Sequence, residues 1–287
     1  MITTNKKAQL PEFTKVVMPE LLHTLERLAY NSLLFLKAHS KNSAALLHTE
    51  PPEIVLVDTE PSVTGWFLGK SISINLNAVE TDLSKIHKKD VPEITTDKLG
   101  VDNVITHELL HFYRSNAIKD KADADSTYLQ FAGIEEPTAL FAASVFDCRY
   151  MRYDDPASKS AEIVRRLSEI NAHNHAERTY TGVNAAYDYI RAYGVKDPQA
   201  IQSLFGGEGK NDTTVCYNYT IYAGIAIVFF AIKRFNISVA MQDALDKPQH
   251  VIESEIASAL SDENSRNALT ETIRQRLSFA NRAEGNR

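Results

Sequence analysis

His107-Glu108-Leu109-Leu110-His111 is the stretch of this chain with the most chemistry in it. On a helix, residues four apart share a face, one turn from each other. Two imidazoles at that spacing can grip one metal ion. Glu108, next to the first of them, can reach a water held by that ion and serve as a general base. Such a centre needs a third protein ligand and one position left for water. The next informative segment, Gly133-Ile134-Glu135-Glu136-Pro137-Thr138-Ala139-Leu140-Phe141-Ala142-Ala143, offers a ligand. It reads as a helix start with two carboxylates in its first turn, where Pro137 is tolerated because first-turn amides have no intrahelical acceptor. From Glu136 the same face carries Ala139, Leu140 and Ala143; from Glu135 it carries Thr138, Ala139 and Ala142. Both acids also suit a helix dipole. The expected centre is zinc held by His107, His111 and Glu136, with Glu135 as the alternative third ligand and Glu108 as the catalytic base.

With these residues in view, the sequence resembles the gluzincin group of zinc metalloproteases, which carry HExxH on one helix and a glutamate ligand on a following one. The pair Glu135-Glu136 is similar to the acidic pair of clostridial neurotoxin light chains and of small HExxH effector proteases that some bacteria inject into host cells; in that pattern the second glutamate is the ligand. The run from Glu135 to Ala143 also resembles the ligand helix of the ImmA/IrrE metalloproteases, and alignment on Phe141-Ala142-Ala143 points to Glu135 instead. The resemblance covers residues 100–145. It implies a zincin-like core, cleavage of a peptide bond in an intracellular protein substrate, and a cytoplasmic location or delivery into a host cytosol. It also implies a second donor for the oxyanion, for which Tyr128, Tyr217, Tyr219 and Tyr222 are the candidates. The third histidine of metzincins is absent after His111, where Phe112-Tyr113-Arg114 follows. Two other functions stand beside proteolysis: zinc hydrolysis of a non-peptide amide or ester, and a helical binding module with a structural zinc.

The positioning elements follow from periodicity. The motif helix is expected to start at Asp102 or Asn103, good N-cap types after Gly100, with Val104, Ile105, Leu109 and Phe112 on its core face. An earlier helix is expected over 19–38, opened by Pro19. Three short strands are expected at 54–57, 66–68 and 72–76, the last alternating Ile72, Ile74, Leu76 against Ser71, Ser73, Asn75. Gly69-Lys70 can turn the second into the third. Zincins use a sheet edge to pair an extended substrate, and 72–76 is the candidate for that edge, against an ordinary interior strand. Residues 78–99 and 117–127 read as polar surface segments. Beyond Asp155-Pro156 the chain reads as helices over 159–172, 183–193, 198–205, 214–234, 237–246, 250–260 and 263–279, with a frayed tail from 281. The fold class is α+β and mainly helical: a zincin-like core with a small mixed sheet over 1–150, and a helical portion over 151–287.

Composition sets the outer bounds. A chain of 287 residues can bury a substantial core without staples. A net charge of -6 leaves no basic surplus for nucleic acid or an anionic membrane. Cys148 and Cys216 are too few for a disulfide framework and read as free thiols. No apolar stretch follows Lys6-Lys7, so no secretory signal is expected. The apolar run Ile221 to Ile232 is too short to span a bilayer and reads as a core helix. His173 and His175 form a rival histidine pair, but no acid or cysteine completes it. The oligomeric state is not readable.

Overall fold

A computed structural model describes residues 2–4, 12–41, 52–57, 65–68, 71–75, 79–80, 99–117, 134–148, 155–172, 182–194 and 213–285. The fold is α+β and mainly helical, with a small mixed sheet. The chain divides into two compact units, one formed by Met1–Lys119 with Arg149–Met151, the other by Asp120–Cys148 with Arg152–Arg287. The helix bearing Glu135 and Glu136 is grouped with the second unit.

The first unit contains β1 (Ile2–Thr4), α1 (Glu12–His39), β2 (Glu53–Val57), β3 (Gly65–Leu68), β4 (Ser71–Asn75), β5 (Val79–Glu80), β6 (Leu99–Gly100) and α2 (Val101–Ala117). Four strands form one sheet in the order β1-β2-β4-β3; β1, β2 and β4 run parallel and β3 is antiparallel to β4. All three expected strands are present, and Leu68 pairs with Ser71, which leaves two residues for the turn. Of the two readings of 72–76, the interior hairpin is the one found: β4 lies between β2 and β3, its antiparallel partner, and β1 and β3 are the edges. Ile72 and Ile74 are fully buried accordingly.

Three further expectations change. α1 begins at Glu12, and Pro19 lies within it rather than at its start; Phe13, Val16, Val17 and Leu21 carry the helical apolar spacing through the proline. α2 begins at Val101, because Gly100 is used by the short β5–β6 pair. That pair also gives order to both ends of the polar segment 78–99, whose residues 81–98 lie outside the described ones. Leu76 and the turn at 69–70 lie outside them too.

The second unit contains α3 (Glu135–Asp147), α4 (Pro156–Ala172), α5 (Gly182–Gly194), α6 (Thr213–Ile232), α7 (Ile237–Asp246), α8 (Gln249–Ala259) and α9 (Glu263–Gly285). α6 is its axis: all the other helices pack on it, and Ile221 through Ala231 are buried without interruption. A helix apolar on every side is what such a central position requires. No single helix among the described residues is long and apolar enough to cross a membrane. Gly182 allows α5 to approach α6 closely, since a Cβ there would stand 2.9 Å from the Gly224 carbonyl oxygen.

Local chemistry sets the helix ends. Asp155 caps α4 by accepting from the Ser158 amide at 2.8 Å, with Pro156 in the first turn. Asn236 caps α7 by accepting from the Val239 amide at 3.1 Å. α9 runs to Gly285, so the tail expected to fray from 281 is helical almost to its end. The expected helix 198–205 lies outside the described residues.

Candidate metal centre

The histidine motif lies on α2, which is buried continuously from Val104 to Arg114. Contacts on two sides fix the rotation of this helix. On the α1 side, the Ser32 and Thr106 hydroxyls share a buried 2.8 Å hydrogen bond, and the Tyr113 hydroxyl meets that of Ser40. On the β3 side, Phe112 packs edge-on against Phe67, with ring centroids 5.9 Å apart. Gly65 lies so near Val104 that a Cβ on the glycine would be 2.6 Å from Val104 Cγ1. Val104, Glu108 and Phe112 are spaced by four and form one stripe, so the glutamate shares the side of the helix that meets β3. His107 and His111 occupy the neighbouring stripe.

The two imidazoles converge. Their Nε2 atoms are 3.2 Å apart, and the rings stand at 72° to one another. Two nitrogens each about 2.0–2.1 Å from one tetrahedral ion stand about 3.3 Å apart, so the pair fits zinc without rearrangement. The same spacing lets one Nε2–H donate to the other nitrogen when no cation lies between them. The ligand-capable atoms of His107, His111 and Glu136 all lie within 4.8 Å of one another, a group able to hold a metal ion. Glu136, and not Glu135, belongs to that group.

Glu136 projects from the first turn of α3, a helix whose side chains are buried from Pro137 to Asp147. The Thr138 hydroxyl ties that turn by donating to the carbonyl oxygens of Ile134 and Glu135, both at 2.9 Å. Small residues at 139, 142 and 143 let the helix sit deep among its neighbours, as its fully buried alanines show.

Tyr222 is buried on α6 within the apolar run. Tyr128, His173 and His175 lie outside the described residues, as do the side chains of Tyr217, Tyr219 and Cys216. Cys148 is a free, buried thiol whose pKa is pushed up to about 12 by burial, against the opposing charge of Arg166.

Sequence reasoning overlooked several residues. Gly65 is a lone glycine opening a strand, a sign of close backbone approach that could have been read. Arg114 is among the large side chains fully buried in the described residues and lies seven residues after His107 on the histidine stripe; no motif signals it. In the second unit, Glu162 is buried and accepts from Arg166 Nε at 3.0 Å and from Arg165 Nη2 at 2.7 Å. Burial pushes its carboxyl upward, but the two guanidiniums outweigh this and hold it below the ordinary carboxylate range. Compared with known proteins, the chain matches no family model, no curated protein and no solved structure.

Proposed function

We propose that this chain is a zinc-dependent protease that hydrolyses a peptide bond in a protein substrate. The observation that carries the reading is the convergence of His107 and His111 Nε2 at a separation suited to tetrahedral zinc, with a carboxylate from Glu136 in the same group. His107, His111 and Glu136 would hold the ion. When bound, zinc supplies Lewis acidity: it polarises an amide carbonyl and makes water acidic enough to deliver hydroxide near neutral pH. Glu108 takes the proton from the attacking water and returns it to the leaving amine nitrogen. The burial of Glu108 excludes competing water from its carboxylate and strengthens its electrostatic action.

A carboxylate beside the first ligand favours catalysis over a structural zinc, which has no use for a general base there. Peptide rather than small-amide hydrolysis is favoured by the strand edge of β3 along the stripe that bears Glu108, since such an edge can pair with an extended chain. On the resemblance to injected effector proteases alone, we place the substrate among cytosolic proteins.

The test has two parts. Elemental analysis of the purified chain is expected to find one zinc per molecule, lost together in His107→Ala and His111→Ala. Mass-spectrometric comparison of lysate proteins after incubation with wild type and with Glu108→Gln is expected to find cuts made by the wild type alone, while the variant keeps its zinc. Equal cutting by both removes Glu108 from the mechanism.

A further inference from the structure

We infer, on the footing of the proposed metal centre, that the buried hydroxyl pair Ser32–Thr106 sets the rotation of α2 for metal binding, with Ser32 as a positioning residue, and that the pair adds little to the stability of the fold. Ser32 and Thr106 are both fully buried, and their hydroxyl oxygens stand 2.8 Å apart. Ser32 lies on one stripe of α1 with Leu25, Leu28 and Leu36, all buried. With leucine one turn to either side, an apolar residue at 32 would simply continue the core. A buried hydroxyl pair that hydrocarbon can replace adds little net stability. The best-attested use of a polar pair in such a place is to fix how two elements meet.

Direction is what the pair adds. Apolar contacts are non-directional, so the leucines of α1 stay buried when α2 turns slightly about its axis. A hydroxyl–hydroxyl bond spans only about 2.5–3.0 Å and weakens steeply when misaligned, so it holds one setting. Thr106 immediately precedes His107, and a rigid helix carries any rotation at Thr106 into the imidazole beside it. The imidazole nitrogens lie farther from the helix axis than the hydroxyl and so move farther. That movement matters because the metal group is drawn from two helices, with His107 and His111 on α2 and Glu136 on α3. Rotation of α2 leaves the two imidazoles together but changes their distance to the carboxylate. A second hydroxyl contact, between Ser40 and Tyr113, lies two residues beyond His111. Thr106 and Tyr113 are seven residues, about 10 Å, apart on one stripe of α2. The motif is thus held at both ends from the side of α1.

The experiment compares the full chain with three variants. Ser32→Ala/Thr106→Val removes both hydroxyls, the valine methyl taking up the space between them. Ser32→Thr/Thr106→Ser exchanges the two residues and keeps the hydrogen bond. Ser40→Ala removes the second contact. For each, the melting temperature of the metal-free chain, the zinc affinity in competition with a chromophoric chelator, and the visible spectrum after cobalt substitution are measured; the spectrum reports ligand geometry. Ser32→Ala/Thr106→Val is expected to melt no lower than wild type, to bind zinc about ten-fold more weakly and to show an altered cobalt spectrum. The exchanged pair is expected to restore both affinity and spectrum. If Ser32→Ala/Thr106→Val does not fold, Ser40→Ala, at a half-buried position, is expected to show the same weakening and the same spectral change. Affinity and spectrum unchanged in the folded variants overturn the inference and leave the metal centre standing. A loss of affinity that merely accompanies a lower melting temperature, and that the exchange does not restore, does the same. Wild type that binds neither zinc nor cobalt overturns both.

Discussion

Val104 occupies the space in which a side chain on Gly65 would begin: a Cβ on the glycine would lie 2.6 Å from Val104 Cγ1 and 2.9 Å from the Ser73 carbonyl oxygen. One of these obstacles is a side chain that can turn; the other is the backbone of β4, which cannot. Gly65→Ala must therefore push β3 away from α2 or from its partner strand. Overpacking of this kind costs about 1–3 kcal/mol. The expected outcome is a lowered melting temperature in calorimetry and weakened hydrolysis, because the helix displaced is the one that carries Glu108.

If the proposed centre holds an ion, metal and stability are linked through the histidine pair. An ion that binds only the folded chain stabilises it in proportion to the logarithm of its concentration over Kd. A chelator is expected to lower the melting temperature of the wild type and added zinc to restore it. His111→Ala, which removes one of two nitrogens 3.2 Å apart, is expected to melt at the same temperature with and without chelator.

Acid should release a closed ring of charges in the second unit. Lys233 Nζ stands 2.6 Å from Asp243 and 2.5 Å from Glu255, and Lys247 Nζ stands 2.8 Å and 2.5 Å from the same two carboxylates. The ring joins the end of α6 to α7 and α8. Burial alone would raise both carboxyl pKa values, but the two lysines hold them below the ordinary range. A depressed acid contributes stability that is complete above its unfolded pKa and lost as pH falls through the folded one. The loss thus begins below the ordinary carboxylate pKa of about 4. Denaturant titration at pH 7 and pH 3 is expected to show a larger drop for the wild type than for Asp243→Asn/Glu255→Gln, which has already given up these charges.

Cys148 is fully buried with its pKa pushed up to about 12, so almost no thiolate exists at neutral pH. In a Cys216→Ser background, the native chain is expected to resist alkylation at pH 7.5 and to react at once in denaturant. Rapid native labelling would show that α3 opens locally.

Arg234 and Phe235 both adopt φ of 55 where the chain leaves α6, although neither is glycine. Phe235 repays its conformation by packing edge-on against Phe230 and beneath the Arg276 guanidinium. Arg234 is exposed. Glycine adopts this region freely, whereas other residues lose about 1–2 kcal/mol there. Arg234→Gly is expected to raise the melting temperature by a few degrees, and Phe235→Gly to lower it by removing the aromatic contact.

What could be read from the sequence divides by distance along the chain. The histidine pair is set by one helical turn, so spacing alone predicts that the two imidazoles share a stripe of α2, with Glu108 on the stripe beside it. The strand Ser71–Asn75 was legible because alternation is local, and the helices beyond Asp155-Pro156 because apolar spacing within a helix is local too. The place of β4 inside the sheet was not legible, since strand order depends on which neighbour pairs across the chain and Ile72 and Ile74 look alike at an edge or in the middle. The start of α1 was misplaced because a proline signals an end more loudly than Phe13, Val16 and Val17 signal continuation. The grouping of Glu136 rather than Glu135 with the histidines depends on helix rotation, which adjacent acids do not record. The charge ring draws on residues 233, 243, 247 and 255 and exists only once three helices meet.

The hydroxyl contact between Ser32 and Thr106 and the aromatic contact between Phe67 and Phe112 hold α2 by protein alone. Packing by residues far apart in sequence therefore fixes the direction of both imidazoles, so a change at Ser32 or Phe67 would reach the proposed centre without touching it.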